Sequence, residues 1–332
     1  MNDKTVWPTD EKLRHDALRT LCMKYGVDDV GFVNIDRQAI DSQRMKILEV
    51  FPKTKTLISL AVFLNPENAR TPARNLTSFD VHLAEDILGN SSRSIIMALR
   101  RTGVKGVYFP PVFPMDTSHP KPDSLIISQK PIAEAAGLGL MGLNRLVLHP
   151  EWGSSVWFTT ILIDKELDQY DEKISKNPCL DCKLCVAACP VGAIKSTGEF
   201  DWVPCMVHNY REVVVNFVDW VDALVTSPDM DTYKKRFSNL ETISWWQSLT
   251  YKSTYQCNHC VGVCPAGKTI RGEYETDKES YFNTVVKPLI ERPQTVYVIE
   301  GSEAEKKGVH PEFLTKSEKR NITLGGKFSV TY

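Results

Sequence analysis

Eight of the nine cysteines in this 332-residue chain obey one spacing rule. Cys179, Cys182, Cys185 and Cys189, followed by Pro190, spell C-x2-C-x2-C-x3-C-P. Cys257, Cys260 and Cys264, followed by Pro265, spell C-x2-C-x3-C-P, and Cys205 stands between the two runs. Such runs hold iron–sulfur clusters, and in the bacterial two-cluster arrangement the fourth cysteine of a run ligates the other cluster. The crossing yields two complete sets. Cys179, Cys182, Cys185 and Cys264 form one [4Fe–4S] site, and Cys189, Cys205, Cys257 and Cys260 the other. Structural zinc also uses C-x2-C pairs, but four ligands in two separated pairs close its shell. Disulfides need an oxidising compartment, to which nothing at the N-terminus directs the chain. Cys22, within Leu21-Cys22-Met23, reads as a buried small residue.

The chain carries 40 basic and 41 acidic residues, a formal charge of −1. No global field then favours nucleic acid or anionic lipid, so neither is expected as a partner. The opening residues lack the apolar stretch of a secretory signal, and the longest clear apolar run, Leu57 to Leu64, is too short to span a bilayer. A cytoplasmic protein with no membrane association is the expectation.

Periodicity predicts a helix over Asp10 to Tyr25, ended by Gly26, and strands at Val30–Ile35, Leu57–Leu64, Val107–Phe109, Ser124–Ser128 and Val156–Ile163. Ser91 or Ser92 can cap a helix that stops at Gly103, and Pro131 opens another through Ala136. Helices and strands alternate, which argues for a layered first half. The charged stretch Asp164 to Lys176 reads as a linker before the cysteines. Beyond it lie a helical Tyr210 to Leu224, the pair Trp245-Trp246, and possible strands at Thr295–Ile299 and Phe328–Val330. Gly137-Leu138-Gly139-Leu140-Met141-Gly142 matches G-x-G-x-x-G, but a helical segment precedes it where a dinucleotide fold has a strand. These glycines either let the backbone approach a large flat ligand or end a helix in a packed turn. Arg145 and His149 can bind a phosphate or carboxylate or simply face solvent, and His208 and His259 read as tuning or packing residues beside the cysteines.

The segment Asp123-Ser124 … Lys130-Pro131-Ile132-Ala133-Glu134-Ala135-Ala136-Gly137-Leu138-Gly139 … Gly142, with the eight cysteines behind it, resembles epoxyqueuosine reductase and the related reductive dehalogenases. The resemblance covers about Val30 to Pro265. It implies an α+β chain, with a nitroreductase-like cobalamin-binding domain (1–170) followed by a bacterial-type two-cluster ferredoxin domain (171–275). An extension (276–332) would pack on this core. It further implies a reductase that cleaves a C–O or C–halogen bond of a small substrate, fed by an external low-potential donor of ferredoxin or flavodoxin type. Asp123 takes the position of the family's proton donor, although aspartate in Pro122-Asp123-Ser124 also suits a turn. Gly137, Leu138, Gly139, Gly142, Asn144 and Arg145 would line the cofactor. The chain departs from the family at Gln129, Leu140, Leu143 and Ala266-Gly267, where glutamate, tryptophan, lysine and Trp-Asn are usual. Two other functions are compatible with the residues. One is an electron carrier or activator serving a partner's corrinoid, and the other a flavin-dependent reductase.

Overall fold

The computed structural model describes residues 12–114, 127–213, 215–253, 255–292 and 296–298. Asp123, the strand expected at 124–128 up to Leu125-Ile126, and the tail from 299 lie outside the described residues. The chain divides into two compact units, neither continuous in sequence. The first comprises Met1–Leu64, Leu83–Leu180 and Ala266–Arg271; the second comprises Asn65–His82, Asp181–Pro265 and Gly272–Tyr332.

The first unit is built on strands β1 (Asp29–Asn34), β2 (Thr56–Phe63), β3 (Gly106–Tyr108), β4 (Leu140–Met141), β5 (Val147–Leu148) and β6 (Val156–Ile163). Four of them make a sheet in the order β1-β2-β6-β3, antiparallel throughout, and β4 pairs with β5 as a separate hairpin. The antiparallel pairing makes the unit α+β. Strand β2 is buried along its whole length except Phe63, so its apolar run is nearly continuous and does not alternate. On one face Leu57 and Ala61 pack against Ile132 and Ala133 of the helix Gln129–Ala135. Leu18, Ile58, Leu88 and Ile95 are fully buried, each worth about 1.5–3 kcal/mol of transfer free energy. Cys22 is fully buried too, and burial pushes its thiol pKa far up, as an inert core residue requires.

Several local expectations shift. Among the described residues the first helix begins only at His15, because Leu13 is taken into a parallel bridge with Leu167. Ser91 and Ser92 cap nothing. They lie inside a 27-residue helix, Arg74–Arg100, where the Ser91 hydroxyl donates to the Tyr25 carbonyl. The charged stretch after β6 is no free linker. Asp168 accepts from the His15 amide, and Asp171 accepts from His15, Arg19 and the Phe32 amide. Polar side chains bolt this segment to the first unit, so the partition falls at Leu180/Asp181 rather than near residue 170.

In the second unit the described secondary structure is helical apart from one isolated bridge, Ile194 with Phe200. The helices include Pro66–Arg70, Leu184–Ala188, Trp202–Asn209, Val215–Thr226, Asn239–Thr250, His259–Gly262 and Lys287–Glu291. A satellite core of Ala223, Tyr233, Phe237 and Trp245 holds Val215–Thr226 and Asn239–Thr250 together, whereas Trp246 is exposed. Ser238 and Glu241 close a capping box at the start of Asn239–Thr250. Val296 to Val298 are buried but form no strand.

Candidate iron–sulfur centre

Seven of the eight patterned cysteines belong to the second unit; Cys179 precedes the partition, its amide donating to Asn177 Oδ1 at 2.9 Å. Between the first cysteines the backbone takes left-handed turns at Asp181 (φ 52°) and Lys183 (φ 63°), uncommon for residues with a Cβ. Lys183 Nζ clasps Asp181 Oδ1 at 2.6 Å and the Ser196 carbonyl at 3.0 Å, which braces that curl. The curl leads into the helix Leu184–Ala188, on which Cys185 is buried, and Cys189 caps its end.

Asn258, buried between Cys257 and Cys260, anchors the second run. Its Nδ2 donates to Thr77 Oγ1 at 2.9 Å and to the Ala69 carbonyl, and its Oδ1 accepts from Arg292 Nη2 at 3.1 Å. A side chain at Gly262 would strike the Ala69 carbonyl and Leu289. These contacts explain why Asn65–His82, far away in sequence, belongs to the cysteine-rich unit.

Cys260 sits in a field of other thiols. Burial pushes its pKa well up, and Cys257, Cys205, Cys189 and Cys185 push it further, in that order. Cys257 is pushed up to about 11, by burial first and then by Cys189. Thiols crowded in this way keep their protons unless a strong positive charge joins them, which is what iron supplies. Three of Cys260's four neighbours, Cys189, Cys205 and Cys257, are the residues expected to share its cluster. Among the described residues no three His, Cys, Asp or Glu side chains converge as they do round a single ion. Donors already face the sulfurs. The Ala193 amide reaches Cys189 Sγ at 3.2 Å, and His259 Nδ1 lies 3.5 Å from Cys257 Sγ. The donor set therefore fits a [4Fe–4S] cluster.

Next to Cys257 lies a buried group that sequence reasoning largely missed. His208 Nε2 meets the Tyr255 hydroxyl at 2.6 Å, and His208 Nδ1 accepts from the Tyr297 amide at 3.3 Å. The Arg211 guanidinium lies 3.6 Å from the centre of the Tyr255 ring, with Arg74 at 5.0 Å. Tyr255 and Arg211 stand close to Cys257 and Cys205 in sequence, a signal that could have found them. Arg74 and Arg292 offer no such signal.

The glycine segment ends a helix. Gly137 has φ 76° and follows Gln129–Ala135, with the Leu138 amide returning to the Ala133 carbonyl. A Cβ on Gly137 would meet the Glu172 carbonyl, one on Gly139 the Leu148 carbonyl, and one on Gly142 the Leu148 side chain. Leu138 is buried, and Asn144 Oδ1 accepts from the Leu146 amide within the β4–β5 turn. The protein's own chain thus fills the room these glycines leave. Arg145, at φ 60°, is exposed. His149 is committed internally, its Nε2 3.1 Å from Asp29 Oδ2 and its ring stacked on Trp152, so it is no surface anion ligand.

A family model described as a 4Fe-4S binding domain matches residues 172–195. The chain is similar to the epoxyqueuosine reductase of Staphylococcus aureus, 24% identical over 185 residues, which is 56% of this chain and 40% of that protein. The chain therefore spans well under two thirds of that relative's length. In fold it is similar to a catabolic reductive dehalogenase in complex with 3-bromo-4-hydroxybenzoic acid. That match has TM-score 0.51 and 13% identity, over 86% of this chain and 38% of the other. A solved epoxyqueuosine reductase bound to an epoxyqueuosine-modified tRNA stem loop matches 56% of this chain and 54% of its own, with 18% identity and TM-score 0.36. By sequence the chain resembles epoxyqueuosine reductases, and by fold a reductive dehalogenase, each over part of its length.

Proposed function

We propose that this chain is an iron–sulfur reductase of the epoxyqueuosine reductase and reductive dehalogenase type. The observation that carries the reading is the eight-cysteine pattern, within which Cys260 feels the charges of Cys257, Cys205 and Cys189. The 4Fe-4S match over 172–195 and the similarity to epoxyqueuosine reductases support it. Cysteines 179, 182, 185 and 264 would hold one cluster and 189, 205, 257 and 260 the other. Clusters so held supply single electrons at low potential, and cobalamin would supply the bond-breaking chemistry. Within the chain's own part, Asp123 would hold the proton that a two-electron cleavage of a carbon–heteroatom bond consumes. Among the described residues no helix is long and apolar enough to cross a membrane.

The substrate to test first is epoxyqueuosine in tRNA. The neutral charge of the chain argued against nucleic acid, and the relatives revise that expectation, since one is named for epoxyqueuosine and another is bound to a modified tRNA stem loop. A balanced total does not preclude a local basic surface. Anaerobically reconstituted protein, given cobalamin, a low-potential reductant and epoxyqueuosine-containing tRNA, should form queuosine. Loaded protein that retains corrinoid and turns over neither this tRNA nor a halogenated phenol would overturn the reading.

The self-filled glycine segment favours a second reading, an electron carrier serving a partner's corrinoid. Absence of retained cobalamin on gel filtration, with iron intact, would put that reading first.

A further inference from the structure

The chain between Cys205 and Cys257 carries more apolar surface than its own fold uses. Ten of the 22 large apolar side chains exposed among the described residues fall within the 34 residues from Val218 to Tyr251. Phe217, Trp220 and Ala223 of the helix Val215–Thr226 meet Trp245 of the helix Asn239–Thr250 in the satellite core. Val218, Val221 and Val225, at i, i+3 and i+7, fall on the side of the first helix away from Trp220, and Val225 is 78% exposed. Leu240, Ile243 and Trp246 form a similar stripe on the second helix, with Leu240 78% and Trp246 58% exposed. A helix that packs on one core needs one apolar stripe. Each of these has a second, turned to water.

At about 60–120 Å² of apolar area per side chain, scaled by exposure, the ten offer roughly 400–700 Å². The largest apolar patch of a typical monomer is about 300–600 Å², and each partner of a stable interface gives about 800 Å². Charge on the same stretch is nearly balanced. Residues 215–252 hold five carboxylates and four cations. Arg236 meets Asp222 at 3.0 Å and Asp219 at 3.6 Å, and Glu241 accepts from Tyr297 and from Ser238. Little field is left to draw a phosphate, an acidic electron donor or an anionic bilayer. A donor must also leave after each delivery, and weak redox encounters use small surfaces. An apolar, near-neutral face of this size suits a lasting contact. A second copy of the chain meets it with equal apolar area and without a clash of net charge.

We infer that the helices Val215–Thr226 and Asn239–Thr250 form the interface between two copies of this chain, each copy covering the outer stripes of the other. The contact is isologous, the same surface from both partners, and a twofold pairing closes on itself and stops at a dimer. Val225, Ile243 and Trp246 anchor it, since large apolar and aromatic side chains removed from water carry most of the free energy of an interface. The inference goes beyond the reductase reading and does not depend on it, because no residue of the two stripes belongs to the cysteine pattern.

The test is sedimentation velocity of the full, reconstituted chain at micromolar concentration. The wild type should sediment with twice the 37.5 kDa of one chain. It should keep that mass from about 0.05 to 0.5 M salt, because salt screens charge and not apolar contact. Val225→Glu combined with Ile243→Glu places a carboxylate on each stripe at an exposed position. Association should weaken by about a hundredfold or more, with iron content and far-UV circular dichroism unchanged. Leu240→Arg alone should weaken it about tenfold, which keeps the test sharp should the double variant fold poorly. Met45→Glu, at an apolar residue 72% exposed in the first unit, should leave the dimer intact. A wild type that stays monomeric, or folded stripe variants that stay dimeric, would overturn the inference. A monomer that floats with phosphatidylcholine–phosphatidylglycerol vesicles would overturn it too, and would give the face to a lipid surface. Each of these results leaves iron content, and with it the two-cluster reading, untouched.

Discussion

In the first unit Asp171 takes His15 at 3.1 Å and Arg19 at 3.2 Å, and Asp29 takes Arg19 at 3.0 Å and His149 at 3.1 Å. In the second, Arg74, Arg211 and Arg292 crowd one tyrosine, and two of their nitrogens find no partner among the described residues. The first network is closed, since every carboxylate in it answers a cation and the glycine turn is filled by the unit's own backbone. The second gathers Arg74, Arg211 and Arg292 around Tyr255, beside crowded thiols. A [4Fe–4S] cluster with four thiolates is an anion that cations so placed can stabilise. The contrast teaches which unit is self-sufficient and which is built around something added.

The sharpest break of this contrast is at Cys205. Cys205→Ala should reduce bound iron from about eight to about four atoms per chain and spare the cluster of Cys179, Cys182, Cys185 and Cys264. Chemical iron analysis with EPR decides it, and full iron in the variant would mean that the crossed assignment is wrong. Next in size is Asp123→Asn, which keeps the shape but not the proton. Turnover should fall about a hundredfold or more with iron and corrinoid loading unchanged, and wild-type turnover would make Asp123 a turn residue.

Asp171→Ala tests the closed network. It strips His15, Arg19 and the Phe32 amide of a shared acceptor, and should cost about 1–3 kcal/mol in denaturant unfolding while iron content stays at the wild-type level. Loss of iron without loss of stability would show that the segment serves the cysteines rather than the first unit.

The smallest effect is on pH dependence. Burial pulls the His15 pKa down, but hydrogen bonds to Asp16 and Asp171 more than offset that, and it ends above its ordinary 6.5. Its contribution is then complete below pH 6.5 and is lost as pH rises through the folded value. Asp29 has the opposite sign. Burial raises its pKa, the bonds from His149 and the Val30 amide outweigh this, and it ends below 3.8. Its contribution is present above pH 3.8 and is lost only in stronger acid. The melting temperature should therefore fall by about 1–2 °C between pH 6 and 9, and His15→Gln should abolish that slope. An unchanged slope in the variant would remove His15 from the network.

The elements with a local pattern were legible beforehand. Strands β1, β2 and β6 fall within a residue of their expected bounds, because apolar runs flanked by turn residues have one good solution. The helix before Gly137 was legible too, and it stands where the sequence expected a helical segment. The 27-residue helix was not, since its first half, from Arg74, carries exposed apolar residues such as Phe79 and Leu83 that blur its periodicity. Nor was the bolting of Asp164 to Lys176, where a run of charges looks like solvent-facing linker until its partners are known.

The eight cysteines and their spacing were determined by sequence alone, because each run places its closely spaced thiols within one short stretch of chain. Tertiary structure alone decided what surrounds them. Ala69, Thr77 and Arg292 reach Asn258 from opposite sides of the sequence, and Arg74 and Arg211 meet at Tyr255. Buried polar groups must find partners wherever folding brings them, and no one-dimensional pattern records which distant residue will be at hand.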